Sequence, residues 1–166
     1  DRDTLAIQGN HYNYDLNRYL IFPGFVDIHT HCREDTTGHE NYKEEYSTVG
    51  LAALNGGVTY IADMPNNPVP PITRETYDIK QKLTSKCAVD VLCYGGVGPD
   101  TSPFGKDVPY KAFMGPSIGE LFFKDHISLA HALERYYGHN VSFHCEDPTL
   151  LELYKNESTH EFRRPN

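Results

Sequence analysis

Short apolar runs and helix-like apolar spacings alternate along most of this chain. Runs with the length of β-strands, closed by turn or polar residues, cover residues 25–31, 58–64, 88–94, 110–114 and 141–145. Helical spacing of apolar positions covers residues 42–55, 73–86, 126–137 and 148–155. Strands that alternate with helices form parallel β/α units, so the pattern predicts an α/β fold. Residues 1–21 are polar and rich in Tyr and Asn, with a weak strand signal at 19–22.

Capping and turn residues set the expected ends of these elements. Gly56-Gly57 fits the C-terminus of the first helix, and Thr73 can cap the N-terminus of the second. Asp147 can cap the last helix, with Pro148 at its first position. Gly95-Gly96 are expected to end the third strand.

The first predicted strand carries two histidines on one side. His29 and His31 are two residues apart, and side chains at that spacing point to the same face of a strand. Val26, Ile28 and Thr30 then occupy the opposite face, which predicts a strand buried on both faces.

Two imidazoles on one face supply half of a typical zinc site. Two hydrogen-bonded histidines at a sheet edge would give the same spacing, and the spacing by itself leaves both interpretations open. Arg33 follows the pair and places a fixed cation beside it. Asp27 shares the face of the histidines, where it can orient an imidazole or simply brace the strand.

Further candidate residues lie on or just after later strands. Asn66 follows the second strand, Lys111 lies in the fourth and His144 in the fifth. Each has a structural alternative: a turn residue, a solvated lysine and a hydrogen-bonded core histidine, respectively. In a β/α barrel the carboxyl ends of the strands meet at one mouth, which holds the active site. Their shared location therefore favours a common site.

Composition narrows the function classes. The 166 residues suffice for a domain with a sizeable core. Fifteen basic and 23 acidic residues give a net charge of −8, which argues against nucleic acid as the main partner. No apolar run approaches the ~20 residues of a membrane span, and no signal peptide opens the chain. Four cysteines without a C-x-x-C pair indicate reduced thiols in a cytoplasmic protein.

Several motifs in order resemble those of the dihydroorotases of the amidohydrolase superfamily. They are PGFVDIHTHCRE at 23–34, GGVT at 56–59, DMPNN at 63–67, YKAFM at 110–114 and VSFHCED at 141–147. The resemblance implies a TIM-type (β/α)8 barrel, of which this chain would form about the first five units. Residues 1–21 would be the remnant of an N-terminal strand region. Residues 22–166 would be the first part of the barrel, truncated before strand six.

The resemblance also implies a site with two metal ions, usually zinc. It implies that His29 and His31 bind the first metal and that His144 binds the second. Lys111 resembles the carboxylated lysine whose carbamate bridges the two. Arg33 and Asn66 resemble the residues that hold the substrate carboxylate, and a guanidinium fork suits that group.

The implied reaction interconverts carbamoyl aspartate and dihydroorotate in pyrimidine biosynthesis. Two departures qualify it. Asp35-Thr36 replaces the usual Pro-Gly after Arg33-Glu34. The metal histidine of strand six and the general-base aspartate of strand eight have no counterpart here, and the resemblance places the aspartate beyond Asn166.

The chain alone is therefore expected to be inactive, and to self-associate or bind the missing half of its barrel. Another cyclic amidohydrolase, allantoinase or hydantoinase-like, remains an alternative, as does a non-catalytic dihydroorotase-like binding module.

Overall fold

The computed structural model describes residues 4–7, 10–13, 22–118 and 121–155. The strands are β1 Thr4–Ile7, β2 Asn10–Asn13, β3 Phe25–Thr30, β4 Val58–Asp63, β5 Asp90–Cys93, β6 Gly95–Val97, β7 Tyr110–Phe113 and β8 Val141–His144. The helices are α1 Tyr46–Asn55, α2 Arg74–Leu83, α3 His126–Glu134 and α4 Pro148–Tyr154, and a 3-10 turn at Thr84–Lys86 follows α2.

The pairing of the strands confirms the predicted parallel α/β organisation. Strands β3, β4 and β5 form one parallel sheet, and β6, β7 and β8 form another. The two short strands near the N-terminus form a separate antiparallel pair, which the polar composition of that region does not indicate. Of the weak strand expected at 19–22, residues 19–21 lie outside the described part of the chain.

The helix caps largely agree with the sequence predictions. The Thr73 side chain accepts a hydrogen bond from the Thr76 amide at the start of α2. Asp147 accepts from the first amides of α4, whose first residue is Pro148. Helix α1 begins four residues later than expected, because the segment before it is a loop of turns that ends at Glu45.

The third strand ends before Gly95-Gly96, as predicted, but the two glycines begin a further strand that the sequence did not indicate. After a break at Tyr94 the chain continues as β6, which pairs with β7, whereas β5 pairs with β4. A Cβ at Gly95 would lie 2.8 Å from the rings of Phe104 and Tyr110. Glycine at position 95 therefore allows the rings of Phe104 and Tyr110 to pack closely against the backbone.

That close approach predicts the effect of Gly95→Ala. The added methyl group would overpack the aromatic contact, so we expect a loss of about 1–3 kcal/mol in the free energy of unfolding. Gly56→Ala is the matched control, because its Cβ would meet its nearest neighbour at 3.5 Å, an ordinary contact. Urea denaturation of both variants measures the difference. Equal free energies of unfolding would show that the rings of Phe104 and Tyr110 can move to accommodate the methyl group without loss of stability.

Strand β3 is not buried on both faces, which corrects the sequence prediction. Val26 is 59% exposed and Ile28 is 68% exposed. Within the described residues β3 is the edge of its sheet, next to β4 alone. The apolar side chains of β3 could be buried, but only if another element packed against them. Among the residues that the structure describes, no element packs over Val26 and Ile28.

The core of the described residues lies between strands β4–β8 and the first three helices. Tyr110, Phe123 and Tyr136 belong to one buried cluster, and Tyr46 and Ile61 belong to another beneath α1. No helix in the described part of the chain is long and apolar enough to cross a membrane. All four cysteines are described, and each is a free thiol.

Candidate active site

The two histidines of β3 lie next to each other. Their ring centroids are 5.3 Å apart. The pairing register of β3 with β4 shifts between Asp27 and Thr30, so His29 sits at an irregularity of the ladder. The backbone N–H of His29 donates to Asp27 Oδ1 at 3.0 Å, which gives Asp27 the bracing role that the sequence left open. Irregularities of this kind re-aim side chains and are common beside active sites.

Lys111 and His144 come from the neighbouring strands β7 and β8. Lys111 is 2% exposed, so it is not a solvated lysine. Its Nζ donates to the Phe143 carbonyl oxygen at 3.2 Å, and burial lowers the pKa of its ammonium group. The His144 side chain is 42% exposed, and its Nε2 lies 2.9 Å from Glu146 Oε2, so it is not a core histidine either.

Electrostatics connect His29 with the residues of β7 and β8. Burial lowers the pKa of His29 most, the charge of Lys111 lowers it further, and His144 adds a smaller effect of the same sign. The Asp27 carboxylate acts in the opposite direction. The charges of Lys111 and His144 thus both act on His29, and together with burial they favour its neutral imidazole, the form that ligates metals.

Asn66 joins the histidines to the candidate carboxylate site. Its Oδ1 accepts a hydrogen bond from His31 Nδ1 at 2.9 Å, so Nδ1 carries the proton and the Nε2 lone pair is left for a ligand. Burial and the neighbouring Arg33 charge lower the pKa of His31. The Arg33 guanidinium lies 3.5 Å from the Asn66 carbonyl oxygen.

Arg33 has an unusual backbone. Its φ is +56°, in the left-handed region that non-glycine residues rarely adopt. Such conformations persist where the surroundings hold them, and they cluster at functional sites.

The donor set fits a metal in part. The rings of His29 and His31 are adjacent, the charge of the buried Lys111 acts on His29, and the protonation of His31 suits metal binding. Within the described residues, however, no group of three His, Cys, Asp or Glu side chains is arranged to hold an ion. A lysine ammonium has no lone pair, so Lys111 can join such a set only after losing its proton or being modified.

The position of the general base stays a prediction. The resemblance places this aspartate beyond Asn166, the last residue of the sequence. Residues 156–166, Asn166 included, lie outside the described part of the chain. Asn166 itself is not a candidate for catalysis or metal binding.

Three residues that lie beneath the loops carrying Arg33 and Asn66 were not predicted from the sequence, namely Tyr46, Asp63 and Lys80. The Asp63 carboxylate, at the end of β4, accepts from the Tyr46 hydroxyl at 2.7 Å and lies 2.8 Å from Lys80 Nζ. All three are buried. An aspartate that closes an apolar strand is a signal for such a site, but its partners on α1 and α2 give no comparable signal.

Comparisons with known proteins agree on the family. The model of the amidohydrolase family matches residues 20–114. The dihydroorotases of Bacillus thuringiensis (strain Al Hakam) and Bacillus anthracis (strain CDC 684 / NRRL 3495) are each 35% identical to this chain over 82% of its length. The match covers 33% of each relative, so the chain spans about a third of their length.

A solved structure shows the same fold. The L-hydantoinase (dihydropyrimidinase) from Arthrobacter aurescens superposes with a TM-score of 0.68 over 81% of this chain and 32% of its own. Its sequence identity is 22%, so this likeness concerns the fold alone. The predicted resemblance to dihydroorotases is confirmed by the curated relatives, and this chain belongs to the amidohydrolase family.

Proposed function

We propose that this chain is the first part of a metal-dependent cyclic-amide hydrolase that interconverts carbamoyl aspartate and dihydroorotate in the cytoplasm, as a step of pyrimidine biosynthesis. The observation that carries the proposal is the link through Asn66. Its side-chain oxygen accepts a hydrogen bond from His31, and its backbone carbonyl oxygen lies beside the Arg33 guanidinium. A cation that suits a substrate carboxylate therefore lies next to imidazoles that suit a metal.

The proposal includes the extent of the barrel. Residues 1–21 belong to an N-terminal strand region, and residues 22–166 form the first part of the (β/α)8 barrel. The relatives named dihydroorotase are about three times as long as the matched region. In the complete protein, the later strands, beyond Asn166, supply another metal histidine and the general-base aspartate.

The metal site uses residues of three strands. His29 and His31 would hold one ion and His144 a second, with zinc as the proposed metal. When bound, such ions lower the pKa of a shared water and polarise the amide carbonyl. Lys111 would supply two anionic oxygens to this site as a carbamate, which forms when its neutral amine adds to carbon dioxide and releases a proton. The lowered pKa of Lys111 raises the share of neutral amine that this addition needs.

The remaining residues orient groups around the metals. The Asn66 side-chain oxygen accepts a hydrogen bond from His31 Nδ1–H, which would leave the Nε2 lone pair of His31 free for the metal. Arg33 binds the substrate carboxylate through two parallel N–H groups, which sets the position of the ring amide. Reaction in the ring-opening direction then needs a base to carry a proton to the leaving nitrogen, the role of the aspartate of strand eight.

Substrate choice tests the proposal directly. The complete gene product, loaded with zinc, is assayed with dihydroorotate, allantoin and dihydrouracil. We expect dihydroorotate to be preferred over dihydrouracil by at least ~100-fold in kcat/KM, because a site built for a polar group rejects an analogue without it. A preference for allantoin or dihydrouracil would support the hydantoinase-like alternative instead, and no turnover of any of the three would support a binding module.

Arg33→Lys sharpens this test. Lysine keeps the charge but loses the two-pronged geometry, so KM for dihydroorotate should rise about tenfold or more while zinc content is unchanged. Arg74→Lys is the matched control, because Arg74 is exposed on α2 and pairs with Asp78. An unchanged KM in Arg33→Lys would assign carboxylate binding to another residue.

The isolated 166-residue chain is expected to associate and to lack dihydroorotase activity. Val26 and Ile28 on the β3 edge and Phe143 on the β8 edge are exposed. Unpaired strand edges with apolar side chains drive association. Light scattering should show dimers or larger species at micromolar concentration, and the rest of the barrel, added in trans, should reduce them. A monodisperse monomer with turnover near that of the complete gene product would contradict this expectation.

A further inference from the structure

Three buried side chains lie beneath the loops that carry Arg33 and Asn66. Asp63 and Tyr46 are fully buried, and Lys80 is 4% exposed. Asp63 Oδ2 accepts from the Tyr46 hydroxyl at 2.7 Å and faces Lys80 Nζ at 2.8 Å. We call Tyr46, Asp63 and Lys80 the buried clamp. It joins the end of β4 to the start of α1 and to the middle of α2.

The clamp holds the loop after β3. The second carboxylate oxygen of Asp63 accepts the backbone N–H of Cys32 at 2.9 Å. Cys32 stands between His31 and Arg33. A charge-assisted hydrogen bond to the amide between those two residues fixes where the loop turns away from the strand.

The clamp also holds the loop after β4. Lys80 Nζ donates to the Met64 carbonyl oxygen at 2.9 Å and to the Asn67 side-chain oxygen. With Asp63 as the third acceptor, every N–H of the ammonium group has a partner. Met64 and Asn67 flank Pro65 and Asn66, so the loop that carries Asn66 is anchored on both sides.

Arg33 is held from its other side as well. The Glu34 carboxylate accepts the backbone N–H of Tyr46 at 2.9 Å and pairs with Lys86. The residues before and after Arg33 are therefore both anchored, one to Asp63 and one to the start of α1. A left-handed backbone is unfavourable for a non-glycine residue, so Arg33 keeps its conformation only while these anchors hold.

We propose that the buried clamp consists of positioning residues that fix the Arg33 and Asn66 loops relative to each other, and thereby set the affinity of the site for a substrate carboxylate. The inference rests on the proposed function and deepens it. A buried ion pair with all its hydrogen bonds satisfied is a poor source of net stability but holds its partners in one arrangement. The clamp touches neither substrate nor metal and acts through the two loops.

Tyr46→Phe is the main test variant, because it removes a single hydroxyl from the clamp. Tyr77→Phe is its matched control, since Tyr77 is another buried tyrosine, packed against Phe104 in a different cluster. Both are made in the complete gene product loaded with zinc. The probe is orotate, the unsaturated analogue of dihydroorotate, which keeps the carboxylate. Four quantities are measured: orotate affinity by calorimetry, zinc content, melting temperature, and hydrogen exchange of peptides covering residues 31–36, 64–68 and 126–134.

We expect Tyr46→Phe to weaken orotate binding about tenfold, the size of one hydrogen bond to a charged group, and to leave zinc content unchanged. Exchange should quicken in 31–36 and 64–68 but not in 126–134, which covers α3. Tyr77→Phe should lower the melting temperature at most, with orotate affinity and loop exchange as in the unchanged protein. A second variant, Lys80→Arg, should recover part of the affinity that Lys80→Met loses, since it keeps the charge.

Two results would overturn the clamp as a positioning device. One is an orotate affinity in Tyr46→Phe equal to that of the unchanged protein. The other is a parallel loss of orotate and zinc, which indicates general loss of structure. If the unchanged protein binds no orotate, the proposed function fails, and loop exchange alone then decides: faster exchange in both loops supports the clamp and unchanged exchange overturns it.

Discussion

Replacing Lys111 with alanine is expected to remove zinc from the complete gene product and to abolish its activity. Lys111 is buried, its charge acts on His29, and its carbamate would supply the anionic oxygens shared by the two metals. Changes merely around a metal site cost 10–100-fold in affinity or activity, so loss of a bridging ligand should cost more than ~100-fold. Metal analysis of the purified variant and the dihydroorotate assay provide the measurements.

Chemical rescue distinguishes a ligand from an ordinary strand residue. Acetate or propionate can enter the space left by the lysine side chain and supply a carboxylate, so either should restore part of the zinc and part of the activity. Lys106→Ala, in the exposed loop before β7, is the control and should match the unchanged protein. Full zinc content in Lys111→Ala would show that the lysine is not a ligand.

Lys80→Met is expected to be the most destabilising substitution among the residues beneath the site. It leaves the Asp63 carboxylate buried without its cation, and breaking a buried pair in this way costs about 3–5 kcal/mol. Lys82→Met is the control, because Lys82 is exposed on the same helix and its replacement should stay within ~0.5 kcal/mol. Urea denaturation gives both free energies of unfolding.

A double variant separates charge from packing. Asp63→Asn combined with Lys80→Met removes both charges, so it should be less destabilised than the sum of the two single variants. Additive losses would show that the two side chains contribute independently and that the pair is not the reason for the instability.

The fold could be predicted where the signal is local. Alternating strand and helix patterns predicted the parallel units, and Thr73 and Asp147 predicted two helix starts. The sequence did not indicate that Gly95 begins β6, because the requirement for glycine there is tertiary, namely the close rings of Phe104 and Tyr110. The predicted burial of β3 was wrong, since periodicity describes a strand and not the elements that cover it.

The candidate site shows the same division. The spacing of His29 and His31 predicted adjacent rings, and strand ends brought Lys111 and His144 into consideration. The left-handed backbone of Arg33 had no sequence signal, and within the buried clamp only Asp63, which closes an apolar strand, gave one. Tyr46 and Lys80 lie on helices, and which helical side chains reach beneath a strand end depends on how each helix packs against the sheet.

The most direct test of the proposed metal site is anomalous diffraction at the zinc edge from crystals of the complete gene product. We expect two zinc peaks, one about 2.0–2.1 Å from ring nitrogens of His29 and His31 and the other at the same distance from His144. Continuous density for a carboxylated Lys111 should join the two peaks. A single peak elsewhere in the molecule, or a fully active protein without zinc at these histidines, would contradict the proposal.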